Sequence, residues 1–90
     1  MKNMDGTISS IWILTIEHDN DRDMYAFISR EGARQGLFRF VDAWWDTECE
    51  DVKRPLNKDG SIDEDLMIEQ YFDHLEGREW YLIEEVTLSP

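Results

Sequence analysis

Two hydrophobic rhythms divide this chain. From Ile8 to His18, apolar and β-branched residues crowd together, with Trp12, Leu14 and Ile16 falling on one side of an extended backbone and Ile11, Ile13 and Thr15 on the other. Successive side chains of a strand point to opposite faces, so this run predicts a strand. Asp19-Asn20-Asp21 are turn formers, and a second strand is expected over Asp23 to Ile28, antiparallel to the first and within hairpin distance of it.

The period then lengthens. Ser29 is placed to N-cap a helix that runs to about Trp45 or Glu48, in which Ala33, Leu37, Phe40, Val41 and Trp44 recur at helical spacing and should face the sheet. Trp44 and Trp45 are neighbours, so both cannot face the core squarely. Gly32 and Gly36 each weaken this helix by about 1 kcal/mol relative to Ala, which leaves packing to hold it. Residues 49–60 read as a charged loop in which Pro55 forbids helix continuation. A second helix should begin at a capping box, Ser61 with Glu64, where Asp63 and Asp65 complement the helix dipole. Ile68, Tyr71, Phe72 and Leu75 follow as its apolar stripe and Gly77 as its stop. Trp80 to Leu88 reads as a last strand. The pattern predicts an α+β fold of order ββααβ: one domain over residues 8–90, behind a leader of residues 1–7, with a three-stranded antiparallel sheet and two helices on one face. The pattern leaves open where the last strand inserts.

Composition adds a limit and a clue. A chain of 90 residues buries about 60–65% of its unfolded surface, and its four Trp, four Phe and three Tyr are enough for one small core. The single cysteine, Cys49, has no partner for a disulfide and no CxxC for zinc, which favours a reducing compartment. The apolar run Ile11 to Ile16 is too short for a signal peptide or a membrane span, so a soluble cytoplasmic protein is expected. The clue is charge. The net −12 is carried almost entirely by the second half: from Asp42 onward fifteen acids face four bases, whereas the first 41 residues hold six acids and five bases. Such a field draws basic surfaces and repels nucleic acid and anionic membranes.

Asp65, Glu69, Asp73 and Glu76 fall at i, i+4, i+8 and i+11, a narrow stripe on the second helix. Each i, i+4 step rises about 6 Å, the same scale as the spacing of phosphates along a strand, about 3.4 Å each. Like charges at this spacing weaken a helix, and no base sits at i±4 to relieve them. The plain alternative is a solvated face that keeps a small protein soluble. Glu48, Glu50 and Asp51 precede the helix, with Asp46 beside them, and Glu79, Glu84 and Glu85 follow it. Trp45, Tyr71 and Trp80 are the candidate aromatic anchors inside this acidic rim.

Other chemistry is poorly supported. Asn57 to Asp63 resembles part of a calcium-binding EF-hand loop, but alignment on Gly60 puts Pro55 at the first ligand position and Leu66 at the twelfth. His18 and His74 lie in no catalytic spacing, and Cys49 among acids is a poor nucleophile. No cofactor, metal site or catalytic residue is expected, and the reading is of a non-enzyme. Direct DNA binding is disfavoured, because the only basic cluster, Arg30, Arg34 and Arg39, should pair with acids such as Glu31 and Asp42.

Leu14-Thr15-Ile16-Glu17-His18, Trp44-Trp45, Tyr71-Phe72-Asp73 and Trp80-Tyr81-Leu82-Ile83-Glu84-Glu85 give the chain a resemblance to small acidic bacterial proteins of unassigned function carried on plasmids, phages and other mobile elements. In size, charge and α+β make-up it is also similar to anti-CRISPR proteins that act as DNA mimics. That resemblance implies an inhibitor whose acidic surface fills the DNA channel of a basic nucleic-acid-binding complex, a CRISPR effector above all, inside a bacterial host. Asp65, Glu69, Asp73 and Glu76 would be the phosphate-like row, extended by Glu48, Glu50 and Asp51. The alternative is a small cytosolic adaptor or homodimerisation module that binds through its aromatic and β-edge surface, with charge serving solubility.

Overall fold

The computed structural model describes residues 9–19 and 21–88, so the expected leader lies outside the described residues. The strands are β1 (Ser10–His18), β2 (Asp21–Phe27) and β3 (Glu79–Thr87), and the helices are α1 (Arg30–Glu48) and α2 (Glu64–His74), in the predicted order ββααβ. The strands form one antiparallel sheet of order β2-β1-β3. The most β-branched stretch of the chain therefore takes the centre, with Leu14 opposite Tyr25 on one side and Ile83 on the other. The β1–β2 hairpin closes after His18, which pairs with Asp21. Asp19 takes up the left-handed backbone there (φ 47), which a short polar side chain tolerates better than a bulky one.

Both helices cover one face of the sheet. Leu14 and Ile16 are buried there against Ala33, Leu37, Val41 and Trp45 of α1 and Met67, Ile68 and Tyr71 of α2, with Leu75 closing the cluster. Ser29 caps α1 as expected, its Oγ accepting from the Gly32 amide at 2.9 Å. A methyl group at Gly36 would fall 2.5 Å from the ring of Phe27, so this glycine lets α1 lie directly on the end of β2. What it costs in helix propensity is offset by that close approach.

Two local expectations are corrected. The expected inward residue Trp44 is 42% exposed, while Trp45 is 1% exposed and in the core. The reason is that α1 has two neighbours. Its contact line drifts along the 33, 37, 41, 45 row from the sheet toward α2, where Trp45 meets Tyr71 with ring centroids 6.5 Å apart and donates its indole N–H to the Val52 carbonyl at 2.9 Å. A single-face periodicity does not register the second neighbour. The cap of α2 is Asp63, which accepts from the Leu66 amide at 3.1 Å, and not Ser61. Ser61 is already committed one turn earlier, where its N–H and hydroxyl both donate to Asp59 in the turn through Gly60 (φ 93). That turn also takes up Asn57, whose amide donates to the Ser61 hydroxyl and the Ile62 carbonyl, so the EF-hand-like segment is a self-bonded connector.

Candidate functional site

The outward side of α2 carries Asp65, Glu69 and Asp73 of the expected acidic stripe, while Glu76 lies in the turn just past the helix, which ends at His74 and not at Gly77; all four are exposed. Their electrostatic states differ. Asp65 is held in an ion pair by Arg34 of α1, so that arginine reaches across to α2 and does not pair with Glu31. Asp42 and Asp46, in turn, share Arg54, at 3.3 and 3.0 Å. Among the described residues, Glu69, Asp73 and Glu76 take part in no ion pair, and neither do Glu50 and Asp51, which are exposed in the loop after α1. That loop borders α2, since Cys49 and Val52 line a shallow recess together with Gln70, Asp73 and His74. The uncompensated row therefore starts at Glu69, one turn later than the sequence suggests, because α1 supplies a base that no i±4 rule along α2 would find.

Glu48 leaves the row altogether. Its side chain is only 16% exposed and lies 3.5 Å from the Arg78 guanidinium, which also approaches Asp19 at 3.5 Å. Carboxylate oxygens of Asp19, Glu48 and Glu79 come within 4.8 Å of one another, the spacing of a small metal cage. Here the positive charge nearest that cage is the protein's own Arg78. Glu79 is 5% exposed and accepts from the Tyr71 hydroxyl at 2.9 Å. Burial pushes the Glu79 carboxyl up from its ordinary value, against the lowering effect of the Tyr71 bond, and burial also pushes the Tyr71 hydroxyl far up. Beside them the Cys49 thiol is raised by burial and then by Glu48 and Glu79, which leaves it a weak nucleophile. His18 bonds Asp23 across the hairpin at 2.9 Å, not its neighbour Asp19, and that bond raises its pKa.

The aromatic anchors sort in the same way. Trp45 and Tyr71 are core residues, 1% and 0% exposed, and are withdrawn from the surface. Trp80 is 43% exposed and stands as an accessible ring. Its indole N–H donates to Glu17 at 2.7 Å and the Arg22 guanidinium lies over it at 5.9 Å, while Arg22 and then Trp80 hold the Glu17 carboxyl below its usual range. Trp80 also joins Asp73 and Glu76 around one open cleft of about 470 Å³, completed by Phe72, Arg78 and Tyr81 at the exit of α2. Tyr81, 40% exposed and stacked on Phe72 with centroids 4.9 Å apart, is the aromatic neighbour that sequence reasoning missed. Its alternation with Trp80 at the start of β3 was the available signal. Of the ten residues proposed for partner binding, the fold thus gathers Asp73, Glu76 and Trp80 at one cleft, with Glu69 one turn earlier on α2 and Glu50 and Asp51 in the loop between Cys49 and Val52.

No helix among the described residues is long and apolar enough to cross a membrane. No protein-family model, curated protein or solved structure matches the chain.

Proposed function

We propose that this chain is a non-enzymatic acidic binding protein that competes with DNA for the basic channel of a nucleic-acid-binding complex, with a CRISPR effector as the partner its resemblance implies. The observation that carries this reading is the set of exposed carboxylates that take part in no ion pair among the described residues, Glu69, Asp73 and Glu76, running into a cleft with Trp80. A row of fixed negative charge steers a basic partner during encounter, and partly exposed rings beside it supply the desolvated contact that slows release. The chain's net −12 adds a long-range field of the same sign.

The test is capture from a bacterial lysate on the immobilised protein, eluted with a salt gradient and, separately, with duplex DNA. Release of a nucleic-acid-binding complex by DNA and by moderate salt is the expected result, together with its loss when Glu69→Lys and Asp73→Lys are combined. Asp65 is left intact in that variant because it is tied to Arg34. Capture indifferent to salt, to DNA and to both reversals would overturn the reading.

A further inference from the structure

The face of the sheet turned away from the helices is apolar. Antiparallel partners share a face, so the pairing register places Ile11, Ile13, Thr15 and Glu17 down its middle. Met24 and Leu82 flank Thr15, Ala26 and Glu84 flank Ile13, and Arg22 and Trp80 flank Glu17. Met24 is 63% and Leu82 45% exposed, with Val86 at 40% further along β3. A one-sided antiparallel sheet alternates apolar inward with polar outward. Here β1 turns Ile11 and Ile13 outward as well as Leu14 and Ile16 inward, and β3 departs from the rule: it turns Trp80, Leu82 and Val86 outward beside Glu84, while Glu85 and Thr87 share the helix side with Tyr81 and Ile83. Such a face is the pattern of a sheet covered on both sides.

We propose that a second copy of this chain covers it, with the two sheets packed face to face about a two-fold axis parallel to β1. Two observations select a copy over another partner. The first is charge: the face holds Glu17, Arg22 and Glu84, a net −1 on a chain of −12, so here two such molecules can approach without strong repulsion. The second is self-complementarity. An axis along β1 lays β2 of one copy over β3 of the other and keeps each cross-strand row level. Met24 then meets Leu82, and Arg22 meets Trp80, whose ring already receives a guanidinium from its own chain. Glu84 lies over the small, uncharged Ala26 and not over another Glu84. At the end of the sheet two Glu17 and two Arg22 leave no net charge. Sheets packed in this way sit about 10 Å apart with strands nearly aligned. The footprint, about 14 Å by 30 Å, is small for a specific interface, so a dimer that dissociates on dilution is expected. Glu69, Asp73 and Glu76 stay free, with Tyr81 beside the last two, while Trp80 is taken up in the dimer contact, so the dimer would present two acidic rows.

The experiment is molar mass by sedimentation equilibrium over a dilution series from about 500 to about 10 μM, at low and high salt. Wild-type protein is expected at twice the chain mass at the concentrated end, with association strengthened by salt because the remaining charge repels. Leu82→Lys should give the single-chain mass throughout with an unchanged far-UV circular dichroism spectrum, and Met24→Lys serves the same purpose should the first variant fold poorly. Ala26 tests the register: Ala26→Glu, set against the partner's Glu84, should dissociate the dimer, while Ala26→Lys should keep it. A wild type at single-chain mass at every concentration overturns the proposal. A dimer untouched by lysine at 82 and 24, or equal behaviour of the two Ala26 variants, does so as well.

Discussion

Two groups of carboxylates stand within a few turns of each other and lead opposite lives. The row along α2 and its exit (Glu69, Asp73, Glu76) is exposed and takes part in no ion pair among the described residues. In the knot of Asp19, Glu48 and Glu79 the last two are drawn inward, and all three are tied off by Arg78 or the Tyr71 hydroxyl. Residue type does not separate them. What separates them is whether the fold supplies a donor, and that decides which group is left to act on another molecule. In the knot, the attraction that might have drawn a partner is spent on joining the hairpin turn, the end of α1 and the start of β3.

The largest expected effect that breaks this contrast is Tyr71→Phe. It leaves the core volume almost unchanged but strips the buried Glu79 carboxyl of its donor, which should cost about 1–3 kcal/mol. Chemical denaturation would measure the loss, and a cost near zero would mean that Glu79 finds water or another donor when Tyr71 is gone. A smaller effect concerns pH. Glu79 is held above its ordinary value of 4.5, so the folded protein binds this proton more tightly than the unfolded chain does. Its stabilising contribution is complete below about pH 4.5 and is lost as pH rises through the raised value. His18, raised from 6.5 by its bond to Asp23, has the same sign: its contribution is complete below about pH 6.5 and is lost as pH rises through the raised value. Glu79→Gln should therefore flatten, without abolishing, the fall in melting temperature on going from mildly acid to neutral pH, and should raise stability near neutrality. Superimposable pH profiles for the two proteins would contradict this assignment. The smallest effect belongs to the exposed row. Glu69→Gln with Asp73→Asn removes one like-charge i, i+4 pair and should raise stability by about 0.2–0.5 kcal/mol. A loss of stability in that variant would mean that the row has a structural partner and does not resemble a free surface.

How much of this was legible in the chain depends on how local each cause is. The element order, the Ser29 cap and the three-stranded antiparallel sheet follow from periodicity and turn chemistry within short windows. Trp44 and Trp45 exchanged roles because the core-facing side of α1 is set by α2, some twenty residues further on. Asp65 and Glu48 left the candidate surface because Arg34 and Arg78 reach them from other elements. Likewise, the apolar outward side of β3 could not be assigned until Leu82 was known to lie opposite Thr15 and not Leu14. Exposure of Glu69 and Asp73 was readable, since helical phase within α2 decides it nearby.

The central place of β1 has a further consequence, in time. Its hairpin with β2 spans a two-residue connection and can form within about 1–10 μs. Its other edge waits for β3, since 60 residues separate His18 from its partner Glu79. At synthesis rates of about 5–20 residues per second, that interval is about 3–12 s. During it, a strand with isoleucines on both faces has one unpaired edge, while α1 and then α2 are still being made. The turn at Asp19 and the acids that follow keep this nascent hairpin charged at its tip, which is the chain's protection against joining its neighbours before β3 arrives.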